Sequence, residues 1–356
     1  TVPASASDKR ILVLKQPVGV AAAITPWNFP SAMITRKLGP ALAAGCTIVI
    51  KPAEATPLSA FAIGEIAIEA GVPAGVVNII TGDAATIGRE IFRHDAVRKV
   101  SFTGSTEVGK ILMDQAASRV VKLSLELGGH APFIVFDDAD LDKAVAGLMA
   151  NKFRNAGQTC ICSNRVFVHE RVYAEFAERL RAQVAALRVG PGTHDGVQIG
   201  PLIDDAAVEK VASHVANAKS KGAKVTVGGD LVKVPDHANR FFAPTLIEDA
   251  NPEMKCFTEE TFGPVIPMMK FSTEREAIDL ANDTPFGLAA YFYSQNASRL
   301  IRVAESLDYG VVGANDAAPS TAQAPFGGMK ESGLGREGGH WGVEEYLETK
   351  YVSWGV

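Results

Sequence analysis

Gly19-Val-Ala-Ala-Ala-Ile-Thr-Pro-Trp-Asn-Phe-Pro30 changes character at Thr25. Up to Ile24 the residues are small and apolar, a strand-like run. From Thr25 onward Pro, Trp, Asn and Pro end the strand and open a helix. A helical pattern follows near Ser31–Gly45, then an apolar run Thr47–Lys51, a second helix near Ser59–Ala70 and a further run Val76–Thr81. This β-α-β-α-β order predicts a parallel sheet with helices on its faces. Strand patterns at Lys99–Thr103 and Val121–Leu127 continue it.

Outward from this block, Asp138 and Asp140 open an apolar-periodic helix through Leu141, Val145, Leu148, Met149 and Phe153, which Gly157 is expected to stop. A second α/β block follows, with a strand Arg165–His169, a long helix Tyr173–Leu187 and further signals to about Val312. Ala317–Gly339 is rich in Gly, Ala, Pro and Ser and reads as a functional loop. Arg10–Lys15 and Glu348–Trp354 are β-prone ends; either can serve as an edge strand that pairs with another chain, so both are candidate oligomerisation elements.

The chain has 356 residues, 47% hydrophobic and 21% charged, enough for two or three packed layers of ordinary globular composition. A formal net charge of -5 and the lack of any Lys/Arg run argue against nucleic acid as a partner and for small molecules or other subunits. No apolar run approaches the ~20 residues of a membrane span, and Thr1–Arg10 lacks the pattern of a signal peptide. A cytoplasmic location, or the mature form of an organellar protein, is expected. Cys46, Cys160, Cys162 and Cys256 are too few and too scattered for a disulfide framework, and no paired Cys/His spacing suggests a metal.

Several segments carry residues suited to chemistry. Phe153-Arg-Asn-Ala-Gly-Gln-Thr-Cys160 sets a cysteine in a loop of small polar residues, whereas Cys46 and Cys256 lie in more apolar surroundings. Context alone leaves Cys160 open between a reactive thiol and an inert one. Cys162 is either an idle neighbour or a partner for reversible oxidation. Asn28 is either an amide that donates to a developing oxyanion or an ordinary turn residue. Lys51-Pro-Ala-Glu54 ends a strand where α/β sheets bind ligands, so it either holds ribose hydroxyls or forms a solvated loop. Phe102-Thr-Gly-Ser-Thr-Glu-Val-Gly109 places Ser105 at a helix start suited to phosphate, without the Gly-x-Gly-x-x-Gly pattern. Glu126-Leu-Gly-Gly129 sets a carboxylate at a strand end, as a general base or a solvated acid.

With Glu259-Glu-Thr-Phe-Gly-Pro264 and Pro325-Phe-Gly-Gly328, these segments stand in the order and spacing of the aldehyde dehydrogenase superfamily, which essentially the whole chain resembles. The resemblance implies an α/β fold of two doubly wound, Rossmann-like domains plus a small β oligomerisation element. In this numbering it implies an oligomerisation strand in 1–17, a coenzyme domain in 18–127, a catalytic domain in 128–331 and, in 332–356, a return segment with the second oligomerisation strand. A homodimer or homotetramer is expected. The family's roles fall on Cys160 as nucleophile, Asn28 as oxyanion donor and Glu126 as general base. Its coenzyme contacts fall on Ile24, Thr25, Trp27, Lys51, Glu54, Gly82, Gly104, Ser105, Leu127, Glu260 and Phe262.

Ser31-Ala-Met-Ile-Thr-Arg36, Phe153-Arg154, Cys160-Ile-Cys162 and the run from Pro325 to Gly338 are most similar to the succinate-semialdehyde dehydrogenase branch. On that resemblance Arg36, Arg154, Ser320 and Phe326 form the substrate pocket, where arginine forks suit a distal carboxylate. The implied reaction is oxidation of succinate semialdehyde to succinate through a thiohemiacetal and thioester on Cys160, with Glu126 activating the hydrolytic water. Three alternatives stand beside it: another aldehyde acid such as glutarate semialdehyde, an acylating enzyme that passes the thioester to coenzyme A, and a non-catalytic protein on the same fold. A water-activating Glu126 argues against the second. Cys160, Asn28 and Glu126 together argue against the third. Glu54 would repel the 2'-phosphate of NADP, so NAD is the expected main coenzyme and NADP the second. Cys160 and Cys162 also match a redox-sensitive pair of some branch members. Three departures from the family pattern stand out. His130 replaces the usual Lys or Asn and is not expected to be catalytic, Asn315–Ser320 is looser than the usual substrate loop, and the chain starts near the first oligomerisation strand, which reads as a fragment whose coenzyme domain lacks its first part.

Overall fold

The computed structural model describes residues 2–356. The chain divides into two compact units, one formed by residues through Leu127 with Thr321–Gly327 and Gly333–Val356, the other by Gly128–Ser320 with Gly328–Ser332. Mixed α/β structure with parallel sheets is the architecture of each.

In the first unit the sheet runs in the order Gly333–Leu334, Lys122–Glu126, Val97–Thr103, Val20–Ile24, Thr47–Lys51, Val77–Ile79. All neighbours are parallel except the short Gly333–Leu334, which pairs antiparallel with Lys122–Glu126. The chain moves outward from Val20–Ile24 through Thr47–Lys51 to Val77–Ile79, then returns to the other side of Val20–Ile24 with Val97–Thr103. Val20–Ile24 is therefore a topological switch point, and the crevice beyond its carboxyl end is where such a sheet binds ligands. Ala21, Ala23, Ile48 and Ile50 pack on one face against Ile34, Leu38 and Ala60, while Ala22, Val100, Phe102 and Leu125 pack on the other against Ile91 and Leu112. Helix Pro30–Ala43 starts with proline in its first turn, where the missing N–H costs nothing. The β-prone ends find each other, as Lys9–Pro17 pairs antiparallel with Leu347–Gly355 over its whole length.

The second unit holds a seven-stranded sheet in the order Val311–Ala314, Ala289–Tyr293, Ala131–Val135, Ser163–His169, Val265–Phe271, Thr245–Glu248, Lys224–Val227. Only the last pair is antiparallel. Its core gathers Phe136, Phe167, Phe271 and Phe292 with Val211 and Val265. Helix Leu141–Lys152 is capped by Asp140, whose side chain accepts from Lys143 N. It ends at Lys152, earlier than the sequence pattern suggests. The chain turns there because Asn155 and Ala156 take left-handed φ values of 51° and 54°, and Gly157 follows at 77°. Gly157 is required by contact as well, since a Cβ there would lie 2.2 Å from Gly263 O. The Gly-rich stretch after Ala317 is mostly irregular, as expected, and its residues divide between the units at Ser320, Gly327 and Ser332. No helix among the described residues is long and apolar enough to cross a membrane.

Candidate active site

In the first unit, the switch point gathers most of the residues singled out for the coenzyme. Thr25 leaves the central strand with its N–H donated to Lys51 O at 3.1 Å. Its hydroxyl is buried and has no hydrogen-bond partner among the described residues, an orphan suited to a ligand. Lys51 ends its strand with its ammonium buried and paired to the more exposed Glu54. Burial raises the Glu54 carboxyl, but the hydrogen bond and charge of Lys51 outweigh it and hold the group below its ordinary value. On the other side of the central strand, just past Thr103, Gly104 N donates to Glu126 O at 3.0 Å. A Cβ on Gly104 would stand 2.3 Å from the Phe102 ring, so any larger residue requires that ring to move. Ser105 then caps helix Thr106–Ala117, accepting from Val108 N at 3.4 Å. A buried orphan hydroxyl, a cation and a helix N-terminus at the carboxyl edge of a doubly wound sheet fit a dinucleotide coenzyme. Trp27 and Asn28 lie half-buried in the connection between strand and helix, Leu127 is buried behind Gly109, and Gly82 sits in the turn before Asp83 caps the next helix.

Glu126 ends the strand beside Gly104 and is almost fully buried. It stands among buried charges. Lys37, fully buried in helix Pro30–Ala43, donates to Thr103 Oγ1 at 2.7 Å and pairs with Glu337 Oε1 at 2.5 Å. Arg36 NH1 lies 4.0 Å from Glu337 Oε2, and its guanidinium covers the Phe326 ring at 4.5 Å. A Cβ on Gly327 would come within 2.9 Å of Glu126 Oε1, so the Pro-Phe-Gly-Gly turn closes directly over the carboxylate. Burial, and then the charge of Glu337, push the Glu126 carboxyl well above the ordinary range against the opposing pull of Lys37, Arg336 and Arg36. Its Oε2 has no hydrogen-bond partner among the described residues.

Neither Lys37 nor Glu337 is among the residues that the sequence singles out. A signal exists for the first, since Lys37 shares the buried face of its helix with Ile34, Leu38 and Ala41. A lysine at a core position of an amphipathic helix requires a buried partner. Glu337 lies some 300 positions away in sequence from Lys37, and no local pattern links them.

In the second unit, Cys160 is partly exposed and its neighbours Cys162 and Ser163 are buried. The turn is pinned from several sides. Asn151 Oδ1 accepts from Ser163 N and Oγ at 2.7 and 2.8 Å, Tyr291 OH donates to Ile161 O at 2.6 Å, and Cys162 Sγ donates to Gly157 O at 3.2 Å. A Cβ on Gly129 would strike Cys160 O at 2.4 Å, which explains the second glycine of Glu-Leu-Gly-Gly. Burial pushes the Cys162 thiol up, offset in part by Lys152, whose Nζ lies 3.7 Å from Cys162 Sγ and 2.8 Å from Asn164 Oδ1. Arg154 is exposed on the preceding turn, and Ser320 is partly buried. Glu260 Oε1 accepts from Gly129 N at 3.1 Å, and Phe262 takes a left-handed φ of 54°. His130 is fully buried, where desolvation drives its ring well below the ordinary histidine range.

A switch point carrying a buried orphan hydroxyl, a cation and a helix N-terminus in one parallel-sheet unit, and a partly exposed thiol in a pinned turn of a second α/β unit, suit an oxidoreductase that couples a nicotinamide coenzyme to a cysteine. The chain belongs to the aldehyde dehydrogenase family, whose profile matches residues 1–352. It is 58% identical over 356 residues to a succinate-semialdehyde dehydrogenase [NADP(+)] of Escherichia coli, covering 100% of this chain and 73% of that protein. It is 56% identical to a glutarate-semialdehyde dehydrogenase of Pseudomonas putida, covering 99% of this chain and 72% of the relative. The crystal structure of succinate-semialdehyde dehydrogenase from Burkholderia pseudomallei superposes with a TM-score of 0.97 at 56% identity, over 100% of this chain and 73% of that one.

Proposed function

We propose that the protein oxidises succinate semialdehyde to succinate with NAD(P), through a covalent adduct on Cys160. The observation that carries the reading is the pinned turn of Cys160, whose backbone is held by Asn151 and Tyr291 while its side chain stays accessible. Such a thiol is pre-positioned to add to an aldehyde carbon. The Asn28 amide and a backbone N–H beside Cys160 stabilise the oxyanion of the thiohemiacetal. Bound coenzyme supplies the two-electron acceptor, held by Thr25, Lys51, Glu54, Ser105, Glu260 and Phe262 with the neighbouring Ile24, Trp27, Gly82, Gly104 and Leu127. Glu126 then removes a proton from the water that hydrolyses the thioester, a task suited to a carboxylate whose buried setting raises its basicity.

Arg36, Arg154 and Ser320 receive the far carboxylate, and Phe326 completes the substrate set by carrying the Arg36 guanidinium on its ring. The stacking of Arg36 over Phe326 supports this, because it fixes the plane of a guanidinium whose edge pairs with carboxylates. Glutarate semialdehyde is the second reading, favoured by the relative of that name at 56% identity. NAD is preferred over NADP because a Glu54 carboxylate that accepts from ribose hydroxyls would repel a 2'-phosphate, while its pairing with Lys51 leaves room for both. The protein acts in the cytoplasm as a homo-oligomer, with the exposed ribbon of Lys9–Pro17 and Leu347–Gly355 available for pairing.

Coenzyme reduction with succinate semialdehyde, glutarate semialdehyde and an uncharged aldehyde of similar length, each with NAD and NADP, tests the assignment. Succinate semialdehyde is expected to lead the uncharged aldehyde by on the order of a hundredfold in kcat/KM; equal values would sink the roles of Arg36 and Arg154. Cys162 is the partner for reversible oxidation of Cys160, so peroxide is expected to inactivate the enzyme and a thiol reductant to restore it. Activity that survives peroxide rules this out.

A further inference from the structure

Helix Asp205–Ser220 buries Val208, Val211, Val215 and Ala218 in the core of the second unit, and His214 shares that face. The His214 side chain has no exposed surface. Both ring nitrogens meet the same short turn: Nδ1 lies 3.1 Å from Thr261 Oγ1 and Nε2 lies 3.1 Å from Glu259 Oε2. A carboxylate only accepts, so Nε2 carries the hydrogen and Nδ1 accepts from the Thr261 hydroxyl. Burial keeps the ring below its ordinary pKa, against the raising influence of Glu259, which preserves this neutral tautomer.

The two contacts straddle Glu260. They hold a turn that needs support, because Phe262 takes a left-handed φ of 54°, unfavourable for a bulky L residue. The same helix closes on the turn at a second point, where a Cβ on Gly263 would fall 2.4 Å from Val211 Cγ2. On its other side, Glu260 Oε1 accepts from Gly129 N at 3.1 Å. The Glu260 carboxylate is thus fixed through its own acceptor contact and through both flanking residues.

We infer that His214 is a positioning residue for the coenzyme: by holding Glu259 and Thr261 it sets the orientation of the Glu260 carboxylate between them. The inference rests on the reading of Glu260 as a coenzyme contact. His214 itself touches neither the coenzyme nor the aldehyde, so its effect appears in binding and passes through Glu260.

The test is a double-substitution cycle read by direct titration of NAD against the intrinsic fluorescence of the full chain, without aldehyde. His214→Phe fills the space without either hydrogen bond and is expected to weaken NAD binding about tenfold. Thr261→Val, which removes one hydroxyl without changing size, is expected to act in the same direction to a smaller extent. His214→Gln, whose amide reaches toward Glu259, is expected to restore binding to within about threefold of the parent. In a Glu260→Gln background the His214→Phe loss shrinks below about twofold, because the effect travels through that carboxylate. Equal fold losses in both backgrounds overturn the inference, as does unchanged NAD binding in a His214→Phe or Thr261→Val protein whose melting temperature matches the parent. If Glu260→Gln itself binds NAD as tightly as the parent, the reading of Glu260 fails first and the inference with it. Weakened binding in Glu260→Gln together with intact binding in His214→Phe removes the inference alone.

Discussion

The two groups proposed to carry the chemistry, Cys160 and Glu126, are held in opposite ways. Cys160 sits in a turn fixed by neutral hydrogen bonds and close backbone contact, with Asn151 on Ser163, Tyr291 on Ile161 and Gly129 against the Cys160 carbonyl. Glu126 sits among charges, the buried Lys37 and Glu337 and the half-buried Arg36 and Arg336, all acting on its carboxyl. A nucleophile must be aimed, and short-range contacts do that. A base must have the right proton affinity, which long-range charge and burial set. Geometry therefore governs one region and electrostatics the other, and substitutions should separate them.

The largest effect is expected at the groups themselves. Cys160→Ala should abolish product formation while NAD still binds, whereas Glu126→Gln should complete a first round of coenzyme reduction and then stall, with steady-state turnover down by about 10²–10⁴-fold. Rapid-mixing measurement of the first turnover distinguishes the two, and absence of a burst in Glu126→Gln would place Glu126 in the first half of the reaction instead.

Next comes geometry alone. Gly129→Ala introduces a Cβ that would stand only 2.4 Å from Cys160 O, so the turn must shift. A loss on the order of a hundredfold in kcat is expected from a displacement of this kind, with the acid limb of the pH profile unmoved. A pH profile that moves with it would show that the Cys160 turn is not purely a matter of aim.

The smallest expected effect is a shift of pH dependence with the geometry left in place. With Glu126 as the proposed base, activity requires its ionised form and is expected to fall as pH drops through its folded pKa, which stands above the ordinary carboxylate value of 4.5. Lys37 lowers that pKa, so Lys37→Met should move the acid limb to higher pH. Glu337 raises it, so Glu337→Gln should move the limb to lower pH. The raised pKa also means that the folded state binds the proton more tightly than the unfolded chain, so this group's contribution to stability declines as pH rises through that window. Glu126→Gln should accordingly melt at a higher temperature than the parent at neutral pH. Acid limbs that stay fixed in both charge variants would detach Glu126 from the cluster around it.

Much of the fold is legible in the sequence because its signals are local. The apolar run Thr47–Lys51 coincides with its strand to the residue, and Asp140 marks the start of its helix as an acidic residue before an apolar period. The end of that helix is less legible. The apolar period continues to Phe153, whereas the chain leaves the helix after Lys152 and brings Gly157 against Gly263, a contact that only folding creates. Arg36 reads from the sequence as a partner for a substrate carboxylate; the fold also sets it near Glu337 and over Phe326, partners from the far end of the chain. His214 gives no sequence signal, since one histidine on an apolar helix face can be satisfied in many ways.

By itself the sequence determined the α/β alternation, the strand end at Lys51–Glu54, and the motifs that carry Cys160, Asn28 and Glu126, because periodicity, turn residues and short motifs are properties of neighbouring positions. Only the tertiary structure decided which charges surround Glu126, why Gly129 and Gly157 must be glycine, and what His214 holds. Those properties depend on residues far apart in the chain meeting where water is excluded, and there burial and charge act on whatever the fold has brought within reach.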